Sequence, residues 1–109
     1  MIGRRKPRRD PVTQEVAIAV LQRDQGCVAP RLGGSFMDCA GRATLDHVRD
    51  EPMMGKRAPS DMAHLVTLCE YHHLWSSWAT SHRPEIRAYL REVNTEPLVQ
   101  VDPYPASLL

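Results

Sequence analysis

The sequence predicts a small α+β domain in which short strands are framed by helices. Three observations carry that expectation. Residues 11–24 and 84–93 repeat apolar side chains at helical spacing, residues 43–48 and 64–68 read as short strands, and irregular stretches rich in Gly and Pro separate them. With 109 residues and 12.3 kDa, the chain has room for one domain and hardly more. Apolar residues make up 42% and aromatics only 6%, beside nine prolines and six glycines. A core drawn from that stock is thin, so a staple beyond hydrophobic burial is expected.

The first helix is expected over Pro11–Asp24, with Asp10 as cap, Pro11 in the first turn and Val16, Ala17, Val20 and Leu21 on one apolar face. Gly26 is placed to end it. Residues 27–42 follow as an irregular stretch holding Cys27, Pro30, Gly33, Gly34, Cys39 and Gly41. Ala43–Val48 is short enough for a strand, and residues 49–61 form a mixed-charge loop with Pro52, Gly55 and Pro59. His64–Leu68 reads as the second strand, with Leu65 and Thr67 on one side of the pleat. A helix is expected from near Cys69, with Tyr71, Leu74, Trp75 and Trp78 on one face and packed in the core. The last helix, Pro84–Val93, places Ile86, Tyr89, Leu90 and Val93 at i, i+3, i+4 and i+7, and Asn94 and Pro97 close it. The chain thus divides into a basic arm (1–10), a domain (11–94) and an extended tail (95–109) with no internal repeat.

The net charge of +1 conceals an asymmetry. Arg4, Arg5, Lys6, Arg8 and Arg9 crowd into the first nine residues without an acid. The other hundred residues hold nine Lys or Arg against 13 Asp or Glu, a formal balance of −4. A basic arm on an acidic body suits phosphate binding, though a solvated terminus would look the same. No apolar run approaches the ~20 residues that span a bilayer and no secretory signal opens the chain, so membrane and secreted locations are not expected.

Three cysteines cannot all pair within one molecule, which argues against a disulfide scaffold. All three, with four of the five histidines, fall between residues 27 and 73. Zinc prefers four Cys or His donors in a tetrahedron. Cys69 and His72, three residues apart, can meet at one ion at the start of a helix, and Cys27 and Cys39 would complete a three-cysteine, one-histidine structural zinc site. The eleven residues between Cys27 and Cys39 exceed the usual spacing, and three buried free thiols are the alternative. Neighbouring helix residues point about 100° apart, so His73 does not share the ion of His72 and is available to a second one. Asp46 and His47 are adjacent on a strand and point to opposite faces.

Leu45-Asp46-His47-Val48, then His64-Leu65-Val66-Thr67-Leu68-Cys69, then His72-His73 resembles the HNH endonuclease signature, with eight residues between His64 and His73. The resemblance covers roughly residues 27–76 and extends to the zinc-bearing branch of that family. It implies a small ββα-metal (HNH) domain with flanking helices and a structural zinc site. It further implies cleavage of DNA phosphodiester bonds. His47 would be the general base, Asp46 and His73 would hold a catalytic divalent ion (Mg²⁺, Mn²⁺ or Ni²⁺), and His64, where the family usually has Asn, would help fix the loop and orient the base. Cys27, Cys39, Cys69 and His72 would take the zinc positions, with His72 replacing a cysteine and an insertion with Gly33-Gly34 spreading the first pair. Members of about this size are common in phages and bacteria, which implies the bacterial cytoplasm. DNA is the expected partner, gripped by Arg4, Arg5, Lys6, Arg8 and Arg9.

Other readings stay open. The chain could be a non-catalytic zinc-stabilised module that binds nucleic acid or protein. It could also be an accessory subunit of a phage DNA-packaging machine, with packaging proteins as partners. Arg49, Lys56 and Arg57 could touch the DNA backbone or form a solvated loop face among Asp50, Glu51 and Asp61.

Overall fold

The computed structural model describes residues 11–50 and 57–95. The basic arm, Glu51 to Lys56 and residues 96–109 lie outside the described residues. Helix α1 is Gln14–Asp24, and its cap is Thr13, whose hydroxyl accepts from the Val16 amide at 3.2 Å. The helix therefore starts three residues after Pro11, because the β-region backbone of Thr13 (φ −72°, ψ 156°) makes it the cap. Gln25 ends it in the left-handed region (φ 60°), the position expected of Gly26. Of the expected apolar face Val20 is wholly buried, whereas Leu21 is exposed.

Two single 3₁₀ turns, Ala29–Leu32 and Phe36–Asp38, shape the stretch before the sheet. Strands β1 (Ala43–His47) and β2 (Leu65–Cys69) then pair antiparallel, from Ala43 opposite Cys69 to His47 opposite Leu65. Every residue of β2 is buried. Val66 and Leu68 enter the main core with Val28, Ala29, Val48, Ala79, Ile86, Tyr89 and Leu90, while Leu65 and Thr67 alternate with them. β2 packs against both α1 and α3 (Arg83–Thr95). Ile86, Tyr89 and Leu90 bury one face of α3 with Val93 at its edge, as their spacing predicts. Asn94 does not close that helix; it lies inside it and donates to the Leu90 carbonyl at 2.7 Å.

The segment after β2 departs from expectation. In place of one continuous helix there is a five-residue π-helical turn, Tyr71–Trp75, a break at Ser76 and Ser77, and a short helix α2 (Trp78–Ser81). The wider i→i+5 turn advances each residue by less than 100°, so the predicted apolar face comes apart. Leu74 and Trp75 are 62% and 58% exposed and do not pack in the core, whereas Trp78 lies against it.

A buried carboxylate ties the layers together. Asp24, wholly buried, accepts from the Thr67 amide of β2 at 2.8 Å and the Tyr89 hydroxyl of α3 at 2.6 Å. Arg23 pairs with it at 2.7 Å and also donates to the Leu65 carbonyl. Burial and the Asp24 charge hold the Tyr89 phenol well above its usual range. No helix among the described residues is long and apolar enough to cross a membrane.

Candidate metal centre and the hairpin face

Four local devices bring the metal-ligating side chains to one point. Cys27 follows the end of α1, and the next residue, Val28, donates to the Thr67 carbonyl of β2 at 3.0 Å. Cys39 closes the second 3₁₀ turn by donating its amide to the Phe36 carbonyl. Beyond it, Glu70 donates to the Arg42 carbonyl and Tyr71 to the Ala40 carbonyl, which extends the strand pairing and lays residues 39–42 beside the end of β2. Cys69 ends β2, and His72 sits on the π-helical turn. Gly41 is required here: its φ is 82°, and a Cβ would meet the Glu70 side chain at 2.7 Å.

The Nδ1 atom of His72 lies 3.2 Å from Cys69 Sγ, 3.6 Å from Cys39 Sγ and 3.7 Å from Cys27 Sγ. All four donor atoms fall within 4.8 Å of one another. Zinc bonds of about 2.0–2.3 Å in a tetrahedron space their donors roughly 3.5–3.8 Å apart, so the donor set and its spacing fit that ion. The long Cys27–Cys39 interval is therefore no obstacle, since the 3₁₀ turns fold it back. Cys69 and His72 are buried, Cys27 and Cys39 half-buried. Tyr71 and Trp78 hold the His72 ring edge-on at 5.1 and 5.5 Å.

The three thiols differ in acidity. Burial and the neighbouring sulfurs raise Cys39 to about 12, and burial also raises Cys27. Burial acts on Cys69 in the same direction, but the backbone N–H groups of His72 and Ala40 and the His72 ring outweigh it, bringing Cys69 down to about 6. Three thiolates packed this closely repel, and a bound cation is what allows all three to form.

A second group lies on the hairpin. Asp46, buried on β1, has Oδ1 3.3 Å from His73 Nε2 and Oδ2 2.6 Å from a guanidinium nitrogen of Arg83. Burial opposes the charge of Asp46, but His73 and Arg83 prevail and hold its carboxyl below the usual value. Thr44, two residues earlier on β1, sets the ring form of His73. Its hydroxyl has one proton, which goes to the Leu68 carbonyl at 2.7 Å because a carbonyl can only accept. The contact with His73 Nδ1, also 2.7 Å, is therefore donated by the ring. Nε2 is left to face a carboxylate oxygen, and the pair requires a cation between them, a proton or a metal ion.

His47 and His64 are held by the residues between the strands. The Nε2 atom of His47 lies 2.9 Å from Ser60 Oγ. His64 has Asp61 at 2.7 Å on Nδ1 and Asp50 at 2.8 Å on Nε2. Both carboxylates only accept, so the ring carries two N–H groups. Partial burial lowers its pKa, but the two acids override this and raise it above 6.5.

The structure thus gathers Cys27, Cys39, Cys69 and His72 into one cluster and Asp46 with His73 into another. Among the described residues only the first assembles three or more metal-ligating groups. Arg4, Arg5, Lys6, Arg8 and Arg9 lie outside the described residues, as does Lys56. Thr44, Ser60 and Arg83 escaped the sequence reading, since hydroxyls and a lone Arg carry no ligand spacing of their own. Comparison with protein-family models, curated proteins and solved structures found no match.

Proposed function

We propose that this chain is a metal-dependent HNH-type endonuclease of DNA, built on a ββα-metal core and stapled by zinc. The observation that carries the reading is the Asp46–His73 pair, in which Thr44 takes the Nδ1 hydrogen of the ring and turns Nε2 toward a carboxylate oxygen 3.3 Å away. Asp46 and His73 would hold a divalent ion, Mg²⁺, Mn²⁺ or Ni²⁺. A mixed oxygen and nitrogen pair suits this range of metals. When bound, such an ion supplies charge stabilisation at the phosphate and the departing 3′ oxygen.

The remaining work falls to the chain itself. His47 takes the proton of the attacking water, a task suited to a neutral imidazole near physiological pH. Ser60 holds its ring through Nε2. His64, clamped between Asp50 and Asp61, fixes the two ends of the inter-strand segment and so the position of Ser60. Arg83 grips Asp46 through both oxygens, at 2.6 Å on Oδ2 and 3.4 Å on Oδ1, and so fixes the carboxylate beside His73. Arg4, Arg5, Lys6, Arg8 and Arg9 add phosphate affinity that falls with salt.

One observation favours the rival reading, a non-catalytic zinc-stabilised module. The Arg83 guanidinium already balances the Asp46 charge at 2.6 Å, so the ion pair is complete without a metal. A plasmid-nicking assay with Mg²⁺, Mn²⁺ and Ni²⁺ separates the two. Nicking in at least one metal, reduced by a factor of 100 or more (~10² for loss of a general base) in His47→Ala, is expected. No cleavage in any metal, or cleavage undiminished in the variant, overturns the nuclease reading. Cleavage that appears only with an added packaging protein would mark the chain as a packaging-machine subunit.

A further inference from the structure

The π-helical turn sends its side chains in three directions. His72 joins the Cys3His cluster, His73 meets Asp46, and Leu74 and Trp75 are left in solvent. Single apolar residues on a surface need no explanation. This pair is different, because the turn that holds Trp75 out is the one that positions His73 two residues before it. Turns of this kind are rare and concentrate at functional sites.

A cation borders the same turn. Ala43 stands opposite Cys69, so the register carried one residue further sets Arg42 opposite Glu70, whose amide donates to the Arg42 carbonyl at 3.0 Å. Strand alternation puts Arg42 on the face of Thr44 and Asp46, the two residues that meet His73. The Arg42 N–H donates to Glu70 Oε1 at 2.9 Å, so the Glu70 carboxylate is directed to the backbone of Arg42. Among the described residues the exposed Arg42 guanidinium has neither an ion pair nor a hydrogen bond. The i→i+5 pattern of the π-helical turn brings Trp75 back over Glu70. Arg42 and Trp75 are therefore joined through Glu70, one lying two residues from Thr44 and the other two residues from His73.

We infer that Arg42 and Trp75 form a seat for an unpaired nucleotide of a DNA strand beside the Asp46–His73 pair. A guanidinium without an acid suits a backbone phosphate, and an exposed indole suits the π-face of a base. Together they match the two chemical ends of a nucleotide, whereas a purely apolar partner would leave the Arg42 charge unanswered. A base inside a duplex is already stacked on both sides, so the seat selects strands that are single or locally opened. Four residues of strand, roughly 13 Å, separate Arg42 from Asp46, so its phosphate lies a few nucleotides from the one at the Asp46–His73 pair. The choice of DNA as the ligand rests on the nuclease reading.

The test measures binding, so it is independent of turnover. The full chain carrying His47→Ala is titrated with a fluorescein-labelled thymidine strand of about 12 bases, an abasic strand of equal length and a paired duplex, across a range of KCl concentrations (~50–300 mM). Adding Trp75→Ala is expected to weaken binding to the thymidine strand roughly tenfold, the range for one base on an aromatic ring, with the salt slope unaltered. Binding to the abasic strand and to the duplex should change by less than about twofold, since neither offers a free base. Trp75→Phe should retain most of the affinity, which separates stacking from misfolding. Arg42→Gln should reduce the salt slope on the thymidine strand by about 0.7, the share of one phosphate, and Arg42→Lys should keep it. Equal thymidine-strand affinity in Trp75→Ala and its parent, an equal loss on the abasic strand, or an unaltered slope in Arg42→Gln overturns the seat. So does a Trp75→Ala effect confined to self-association on gel filtration, which would assign the indole to a protein interface. If plasmid nicking fails while thymidine-strand binding falls as expected, the seat stands and the nuclease reading does not. If nicking succeeds and binding is unmoved, the seat alone falls.

Discussion

Thr44 has one proton to give, and the Leu68 carbonyl takes it. That decides which nitrogen of His73 carries hydrogen and leaves Nε2 turned to Asp46. Replacing Thr44 with Val keeps the shape of the strand residue and removes this control. We expect Mn²⁺ affinity, followed by electron paramagnetic resonance of the free ion, to drop by roughly tenfold in Thr44→Val, the range for loss of an orienting partner. Arg83→Gln should act similarly by loosening Asp46, and zinc content should stay at one ion per chain in both. Equal Mn²⁺ affinity in wild type and variants would remove the metal role of the Asp46–His73 pair. Cys69 is the most acidic thiol of the Cys3His cluster, at about 6, and its sulfur receives the His72 backbone N–H. Cys69→Ser should lose the bound zinc, as metal analysis of the purified protein would report.

Among the elements, β2 is the axis on which the others are hung. Its Thr67 amide reaches Asp24 of α1, which also holds Tyr89 of α3. Asp24→Ala leaves Arg23 without its buried partner and is expected to cost about 3 kcal/mol, read as a fall of 10 °C or more (~4–8 °C per kcal/mol) in Tm. Asp50 and Asp61 are clamped together by His64, and this clamp depends on pH. Because folding raises the His64 pKa above 6.5, its contribution to stability is fully present below pH 6.5 and disappears as pH rises through the raised value. The Tm difference between wild type and His64→Gln should therefore shrink from pH 6 to pH 8.5. A difference constant across that window would show that the clamp carries no charge.

Taken whole, the molecule has a meagre core and a Cys3His cluster that could hold a metal ion, a staple that would compensate for it. The four donors join the end of α1, the 3₁₀ turns, the end of β2 and the π-helical turn. Removing a structural zinc removes folding energy directly, since the site does not exist in the unfolded chain. Treatment with a strong zinc chelator should abolish the helical circular-dichroism signal, and added Zn²⁺ should restore it. A chelated, zinc-free chain with unchanged circular dichroism would contradict the stapling role.

Local spacing was enough to read the two strands, the apolar face of α3 and the four residues, Cys27, Cys39, Cys69 and His72, that the fold brings together as a group able to hold a metal ion. Alternation and helical periodicity are properties of short stretches of chain and survive in the fold, and the count of Cys and His residues is fixed by composition. Spacing along the chain did not reveal Asp24 as a hub, because an aspartate at a helix end reads as solvated until Thr67 and Tyr89, 43 and 65 residues away, close around it. Nor did it reveal Arg83 beside Asp46, a contact across 37 residues. The exposure of Leu74 and Trp75 was misread for a related reason: a π-helical turn changes the rotation per residue on which a face is predicted. Residue types and their intervals identify what chemistry a segment can offer. Which groups meet, which proton goes where and which face is left to solvent depend on contacts between distant segments, and these form only when the chain has folded.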